Sequence, residues 1–217
     1  MGVFSHRYHF AVEQRWFVSS YWDNKCLNPK CFSDLIALSS KKDIKESYDA
    51  LGGRIYDIRY LEEQVKKYDT IVNRIPSSDE DLVLDIGCGT GLLLEKIAAT
   101  SVGVDLSINL LEKALERNKY GRVYLVQADA ESLPFRDAVF DQVYSITVLQ
   151  NLNNQPLGLI EVKRVSGSDP DIVVTGLKKA YSKESFSSLL SEAGFTIELH
   201  DIDELNDFVA FLRKRPD

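Results

Sequence analysis

From residue 81 onward, short apolar runs alternate with longer windows in which apolar residues recur at every third or fourth position. The runs are typical of buried β-strands, and the windows are typical of helices with one apolar face. The predicted strands are 82–86, 101–105, 123–127, 140–146, 171–177, 195–201 and 208–214, and the predicted helices are 91–99, 108–119, 154–165 and 183–193. This order predicts an α/β fold with a doubly wound sheet.

The connection between the last two predicted strands differs from the others. Only the acidic loop DIDELND, residues 201–207, joins them, and it has no room for a crossover helix. Because parallel neighbours need such a crossover, we expect these two strands to pair antiparallel.

Two helices are predicted upstream of residue 81, before the first strand. Gly52 and Gly53 separate two helical windows, 43–51 and 55–75, because glycine breaks a helix. The second window carries an apolar stripe, which predicts that it covers one face of the sheet. The stripe consists of Ile55, Ile58, Leu61, Val65, Tyr68, Ile71 and Val72. With the aromatic-rich residues 1–40, this region forms a predicted N-terminal extension with cap helices, 1–80, ahead of a sheet domain, 81–217.

The segment VLDIGCGTG, residues 83–91, runs from a buried strand into a turn that contains Gly87, Cys88, Gly89 and Gly91. Glycines let the backbone approach a ligand closely, and a following helix would add free N–H groups and the positive end of its dipole. The spacing is GxGxG rather than the GxGxxG of dinucleotide folds, and Asp85 stands just before the turn. The alternative interpretation is a purely structural strand-to-helix turn.

Two further acids follow the next two strands. Asp105 ends the second strand, twenty residues after Asp85, where a carboxylate can accept hydrogen bonds from both hydroxyls of a ribose. Asp129 lies in ADAESLPF, residues 128–135, which by composition alone is a surface loop.

Residues 81–165 resemble the type-11 group of class I S-adenosylmethionine-dependent methyltransferases, and LKKAYSKESFSSLLSEAGF, residues 177–195, extends the likeness. The resemblance implies a Rossmann-like, seven-stranded sheet whose last strand is antiparallel, with a helical N-terminal extension. It also implies S-adenosyl-L-methionine as the cofactor.

The same resemblance implies a role for each site residue. The glycine turn would lie against the methionine moiety, with Asp85 near its ammonium group. Asp105 would bind the ribose, and Leu106 would lie against the adenine. Asp129 and the backbone of Ala130 would contact the adenine. Ser145 and Ile146 would line the cofactor cleft. Tyr48 and Arg54 would contact the carboxylate end of the cofactor. The alternative interpretation is that Tyr48 is a core aromatic residue and that Arg54 is a solvated surface charge.

No catalytic residue is assigned. Gln150 and Asn151 stand near the position where the family often carries a histidine, and an amide can orient an acceptor but is a poor general base. Because a sulfonium methyl donor is already activated, positioning alone can carry much of the catalysis. The segment also lacks the Asn/Asp-Pro-Pro-aromatic motif of enzymes that methylate exocyclic base amines or glutamine side chains.

Charge bears on the acceptor. The net charge is −7, and residues 1–80 hold twelve basic and twelve acidic residues, so all of the excess lies in 81–217. This argues against a large nucleic-acid footprint on the sheet domain. A faint likeness to RNA-modifying relatives that work with a small activating partner favours RNA or protein as the acceptor. The alternatives are a small molecule, such as a metabolite or a quinone-type compound, and a non-catalytic, cofactor-binding assembly subunit.

The cysteines and the first residues of the chain indicate the cellular compartment and whether a metal is bound. Three cysteines, an odd number, indicate reduced thiols, and neither a secretory signal nor a run of about 18 apolar residues is present, so we expect a cytoplasmic protein without membrane contact. A zinc site is the weaker interpretation of His6, His9, Cys26 and Cys31, because their spacings are wider than those of structural sites. We expect no metal.

Overall fold

The computed structural model describes residues 63–117 and 122–215. Residues 63–74 form helix α1, and three further helices are α2 (Ile108–Arg117), α3 (Gln155–Val165) and α4 (Lys183–Glu192). The strands are β1 (Leu82–Ile86), β2 (Thr100–Asp105), β3 (Val123–Gln127), β4 (Phe140–Ser145), β5 (Ser166–Leu177), β6 (Phe195–Asp201) and β7 (Asp207–Lys214). No helix in these residues is long and apolar enough to cross a membrane.

The seven strands form one sheet in the order β3-β2-β1-β4-β5-β7-β6. Strands β1 to β5 run parallel to one another, whereas β7 lies antiparallel between β5 and β6. The prediction of a doubly wound sheet with an antiparallel last strand is therefore confirmed.

Apolar side chains cover both faces of the sheet. Residues of β1 alternate between them: Leu84 packs with α3 and α4 on one face, and Val83 packs with Ile71 and Ile75 of the α1 region on the other. All five residues of β1 are buried, as expected for a central strand of a parallel sheet covered on both sides.

Three predicted elements differ from the structure. The helix predicted over 91–99 is only a 3-10 turn, Leu94–Lys96. Leu93 and Leu94 point into two different apolar clusters, and β2 already begins at Thr100, so the segment is too short for a helix with one apolar face. Strand β5 begins at Ser166 rather than 171, because Ser166 pairs with Phe140 ahead of an irregularity in the ladder.

Helix α1 covers one face of the sheet with Ile71, as predicted, but its deepest positions differ in part from the predicted apolar stripe, of which Ile55, Ile58 and Leu61 lie outside the described residues. Val65, Tyr68 and Val72 of the predicted stripe are only half-buried. The deepest positions in and just after the helix are Gln64, Lys67, Ile71 and Ile75, spaced by three, four and four residues. Two of these four side chains are polar, which is why a search for apolar residues missed them.

Candidate active site at the carboxyl edge of the sheet

The glycine turn follows β1 at the carboxyl edge of the parallel strands. Gly87, Gly89 and Gly91 have φ of 71°, 53° and 79°, the left-handed region that side chains disfavour. The Gly87 and Cys88 amides both donate to the Val104 carbonyl, at 2.7 and 2.9 Å, which fastens the turn to β2. Its shape is therefore set by the backbone before any ligand binds.

Gly87 also allows a close approach from the loop after β4. A Cβ atom placed on Gly87 would lie 2.3 Å from Val148 Cγ2, a distance that no side chain could accept. The glycine turn and the loop that follows β4 are thus in direct contact at this edge.

Two acidic side chains, Asp85 and Asp105, lie beside the glycine turn. Asp85 is 3% exposed, and burial raises the pKa of its carboxyl group from its usual 3.8 to about 8, with the nearby Asp105 as the second cause. The pKa of the Cys88 thiol is also raised, first by burial and then by Asp85 and Asp105. Such a site favours a cationic group near Asp85, and this distinguishes it from a glycine turn that binds pyrophosphate.

Asp105, at the end of β2, joins the glycine turn to the start of α2. Its Oδ2 accepts from the Gly89 amide at 2.9 Å, and its Oδ1 accepts from the Ser107 amide at 2.8 Å. Each ionised carboxylate oxygen can accept more than one hydrogen bond. Leu106, which follows, is half-buried.

The loop after β3 places a third acid at the same edge. Asp129 Oδ1 accepts from the Glu131 amide at 2.9 Å, and Asp129 forms an isolated bridge with Ser132. The Ala128 amide donates to the Asp105 carbonyl at 3.2 Å, so the segment carrying Asp129 and Ala130 begins against the end of β2.

Two side chains that the sequence did not single out hold this loop. Arg164 of α3 donates to the carbonyls of Leu133 and Phe135, at 3.0 and 2.6 Å. Glu131 Oε1 accepts from the amides of Asn153 and Asn154, at 2.8 and 3.1 Å, and so joins the loop to the start of α3. These bonds connect residues more than twenty positions apart, so no local sequence motif predicts them.

The end of β4 also borders the candidate site, beside the glycine turn. Ser145 is 4% exposed and pairs with Ile86 in the sheet, so it lies beside the start of the glycine turn. Ile146 is buried as well, and Thr147 has a positive φ of 61°. The chain therefore bends sharply next to Ser145.

A buried polar network underlies that bend, and sequence reasoning missed it. Lys67 Nζ lies 2.6 Å from Asp207 Oδ2, and both side chains are fully buried. Thr147 and Thr175 hydroxyls also donate to Asp207 Oδ2, at 2.7 and 2.9 Å. One signal could have found it: Lys67 lies four and eight residues before Ile71 and Ile75, on the same face of α1.

The structure accounts for some of the predicted site residues and not for others. Asp85, Asp105, Asp129 and Ser145 lie at one edge of the sheet, around the glycine turn. The Cys88 side chain points into the core, where its Sγ would be 2.8 Å from a Cβ atom on Gly103, so only the Cys88 backbone faces the turn. Tyr48, Arg54, His6, His9, Cys26 and Cys31 lie outside the described residues.

A charged surface cleft elsewhere is not part of this site. It is lined by residues of β5, β6 and β7 together with Arg74 and Pro76. Its charges are paired with one another, Arg74 with Glu198 and Arg213 with Asp171, so the cleft offers no free charge to a ligand.

Comparison with known proteins identifies the domain. Residues 84–169 match the model of a family described as a methyltransferase domain, and the match covers the glycine turn and all three acids. Residues 84–169 therefore form a methyltransferase domain. The acidic side chains beside its glycine turn suit a cofactor that carries an ammonium and a sulfonium group.

The names of the similar proteins do not point to one shared activity. An uncharacterized protein of Methanocaldococcus jannaschii is 36% identical over 145 residues, 67% of this chain and 56% of that protein. A malonyl-[acyl-carrier protein] O-methyltransferase of Marinomonas sp. is 32% identical over 123 residues, 54% of this chain and 45% of that enzyme. The methyltransferase thus spans about half the length of these relatives.

One solved structure shares the fold over most of the chain. It is a complex of a Haloferax volcanii methyltransferase with its activator Trm112, with a TM-score of 0.68 at 15% identity, covering 78% of this chain and 98% of that chain. A likeness at this identity concerns the fold alone.

Proposed function

We propose that the chain transfers a methyl group from S-adenosyl-L-methionine to an acceptor carried by a macromolecule, RNA or protein. The observation that carries the first part is the convergence of Asp85, Asp105 and Asp129 around the glycine turn. Asp85 would hold the ammonium group, Asp105 the ribose hydroxyls, and Asp129 with the Ala130 amide the adenine edge. A non-catalytic scaffold has no need to keep three separate cofactor contacts.

The bound cofactor supplies a methyl group already activated by the sulfonium charge. The protein then has to bind the acceptor, orient it in line with the methyl group and exclude water. We therefore expect positioning of the acceptor, rather than a general base, to set the rate.

The macromolecular acceptor is inferred from the short connection after β5 and from the similar proteins. Only residues 178–182 connect β5 to α4, so this connection is too short to form a lid. The Haloferax volcanii methyltransferase binds an activator, and the Marinomonas enzyme is named for a malonyl group on a carrier protein. We propose that residues 1–80, or a small activating partner, complete the acceptor site.

The cofactor assignment is tested by calorimetry with S-adenosylhomocysteine. Asp105→Ala should weaken binding by about 1.5–3 kcal/mol, because a charged acceptor is lost from the ribose site. The control is Asp169→Ala, an exposed acid in β5, which should bind as the unchanged protein does. Unchanged affinity in Asp105→Ala would move the ribose site elsewhere, and binding of NADH in place of the cofactor would refute the assignment.

The acceptor is tested by incubating the protein with methyl-labelled S-adenosylmethionine and a fractionated cell extract. Label in the RNA or protein fraction supports the proposal. Label only in organic-solvent-extractable metabolites would establish the small-molecule alternative. Tight cofactor binding with no label in any fraction would instead identify an assembly subunit.

A further inference from the structure

Arg164, near the end of α3, uses every hydrogen-bond donor of its guanidinium group. A guanidinium group has five N–H bonds. Two of them donate to the carbonyls of Leu133 and Phe135, at 3.0 and 2.6 Å, in the β3–β4 loop, residues 128–139. The other three donate to carboxylates, two to Glu161 at 2.7 Å each and one to Asp137 at 2.8 Å. Because no donor is left over, Arg164 acts on this loop and not directly on a ligand.

Glu161, one turn earlier in α3, binds the same loop as an acceptor. Its Oε2 accepts from the Leu133 amide at 2.7 Å. The side chain is only 12% exposed, and its hydrogen bonds with Arg164 lower the pKa of its carboxyl group, so it is ionised at neutral pH. The amide and the carbonyl of Leu133 are therefore both held by one arginine–glutamate pair.

Helix α3 gives this pair a firm support. Leu159, Val162 and Val165 of the helix are all buried in the main apolar cluster of the sheet, and so is Leu133 of the loop. Side chains carried by a packed helix hold a site more precisely than side chains on a loop do. The position of Leu133 is thus fixed relative to the sheet.

Only a short, internally bonded segment separates Leu133 from Asp129. The Ser132 amide donates to the Asp129 carbonyl at 3.0 Å, and the Glu131 amide donates to Asp129 Oδ1 at 2.9 Å. On the other side of Asp129, the loop is bonded to the end of β2. A displacement of Leu133 must therefore be taken up at Asp129, and it would change the direction of that carboxylate.

We propose that Arg164 and Glu161 are positioning residues for the adenine of the cofactor, and that they set the selectivity for adenine by fixing the direction of the Asp129 carboxylate. This inference rests on the proposed function, in which Asp129 and the Ala130 amide meet the adenine edge. A fixed carboxylate accepts from the amino group of adenine. Hypoxanthine carries a carbonyl oxygen in the same place, which a carboxylate repels, so a site held in this way rejects it.

The test compares S-adenosylhomocysteine with S-inosylhomocysteine, which differs from it only in carrying hypoxanthine, by calorimetry. The unchanged protein should bind the adenine compound about tenfold more tightly. Arg164→Lys keeps the positive charge but has three donors on a point charge instead of a planar fork, so this ratio should fall to about twofold. Because both ligands are measured on the same preparation, any loss of folded protein cancels from the ratio.

Arg213→Lys is the matched control. Arg213 also donates to a backbone carbonyl, that of Pro170, and pairs with Asp171, but it does so near the amino edge of the sheet. This variant should keep the tenfold ratio.

Glu161→Gln is a second variant, which keeps the inference testable if Arg164→Lys does not fold. It retains an oxygen for the Leu133 amide but removes the charge that orients Arg164. The ratio should fall in the same direction, by less than in Arg164→Lys.

A double variant tests whether Arg164 acts through Asp129. Asp129→Asn keeps an oxygen for the Glu131 amide, but its side chain can also donate to a carbonyl oxygen, so it should remove most of the selectivity by itself. Addition of Arg164→Lys should then change the ratio no further. A second, independent change in the ratio would overturn the route through Asp129.

The outcomes separate this inference from the proposed function. A ratio that stays near tenfold in Arg164→Lys and Glu161→Gln overturns the positioning role, and equal affinities in the unchanged protein overturn the adenine selectivity. Both results leave the methyltransferase proposal standing. An unchanged protein that does not bind S-adenosylhomocysteine overturns the proposed function, and this inference with it.

Discussion

At the scale of single residues, the most informative side chain is Asp85. A carboxylate buried to this degree loses its hydration, and its neighbour Asp105 adds repulsion, so in the free protein Asp85 holds its proton up to a pH of about 8. Among the described residues, no basic side chain lowers this pKa. A ligand ammonium group at this point would reverse the balance, because it favours the ionised form.

The pH dependence of cofactor binding follows from this. If Asp85 ionises when an ammonium group binds, a proton is released, and the affinity for S-adenosylhomocysteine should rise roughly tenfold for each pH unit between about 6 and about 8. Asp85→Asn should flatten this profile, whereas Asp203→Asn, an exposed acid between β6 and β7, should keep it. Calorimetry at several pH values measures both. A steep profile in Asp85→Asn would assign the proton to another group.

The same shift affects stability, with a definite sign. The folded-state pKa of Asp85 is above its usual value, so the unfolded chain releases this proton first as the pH rises. The free energy of unfolding should therefore fall between pH of about 4 and about 8. Urea denaturation of Asp85→Asn should show a smaller fall over that range.

At the scale of elements, α1 is joined to the sheet by charge as well as by apolar packing. Ile71 packs into the core, and Lys67, one turn earlier, forms an ion pair with Asp207 at the start of β7, 140 residues further along the chain. This pair connects the helix to the antiparallel strand at the edge where the site lies.

Removal of one partner should therefore cost more than removal of both. Lys67→Met or Asp207→Asn alone should lower the free energy of unfolding by about 3–5 kcal/mol, because the remaining charge stays buried. The double variant should recover much of this loss. Lys66→Met is the control, since Lys66 pairs with Glu204 at 3.9 Å on the exposed side of the same helix and should cost at most about 1 kcal/mol. Additive losses in the double variant would contradict the coupling.

The elements that sequence predicts well are those whose period is unbroken. Strands β1, β3 and β6 begin and end at the predicted residues. β1 is a short apolar run that is buried along its whole length, and β6 alternates apolar and polar residues, which is the period of a half-buried strand. The predicted stripe of α1 includes Ile71 but not the buried Lys67, because Lys67 reaches its partner Asp207 only through the tertiary fold. The predicted helix at 91–99 failed for a related reason, because the sheet register fixes where β2 begins.

The residues of the candidate site also fall into those that a sequence motif predicts and those that it does not. Asp85, Asp105 and the glycine turn are close in sequence to the strands that position them, so a motif predicts them. Thr147 owes its conformation to Lys67, Thr175 and Asp207 from three distant elements. Contacts of that kind leave no spacing that could be read along the chain.

At the scale of the whole molecule, charge is unevenly divided. Residues 81–217 carry the entire net charge of −7, and residues 1–80 are neutral. An acidic domain repels a polyanion over about one Debye length, which is roughly 8 Å in physiological salt. If RNA is the acceptor, its binding must come from residues 1–80 or from a partner, while the cofactor residues belong to the acidic part.

Deletion of residues 1–40 should therefore separate the two activities. Asp85, Asp105 and Asp129 all lie in the retained part, as does α1, which packs on the sheet, so binding of S-adenosylhomocysteine should change little. Labelling of the acceptor fraction should be lost, because the neutral region that we propose to complete the acceptor site is incomplete. Calorimetry and label incorporation on the same preparation compare the two effects. If labelling persists while the cofactor affinity falls, residues 1–40 serve the cofactor instead, and the acceptor must be bound by the sheet domain itself.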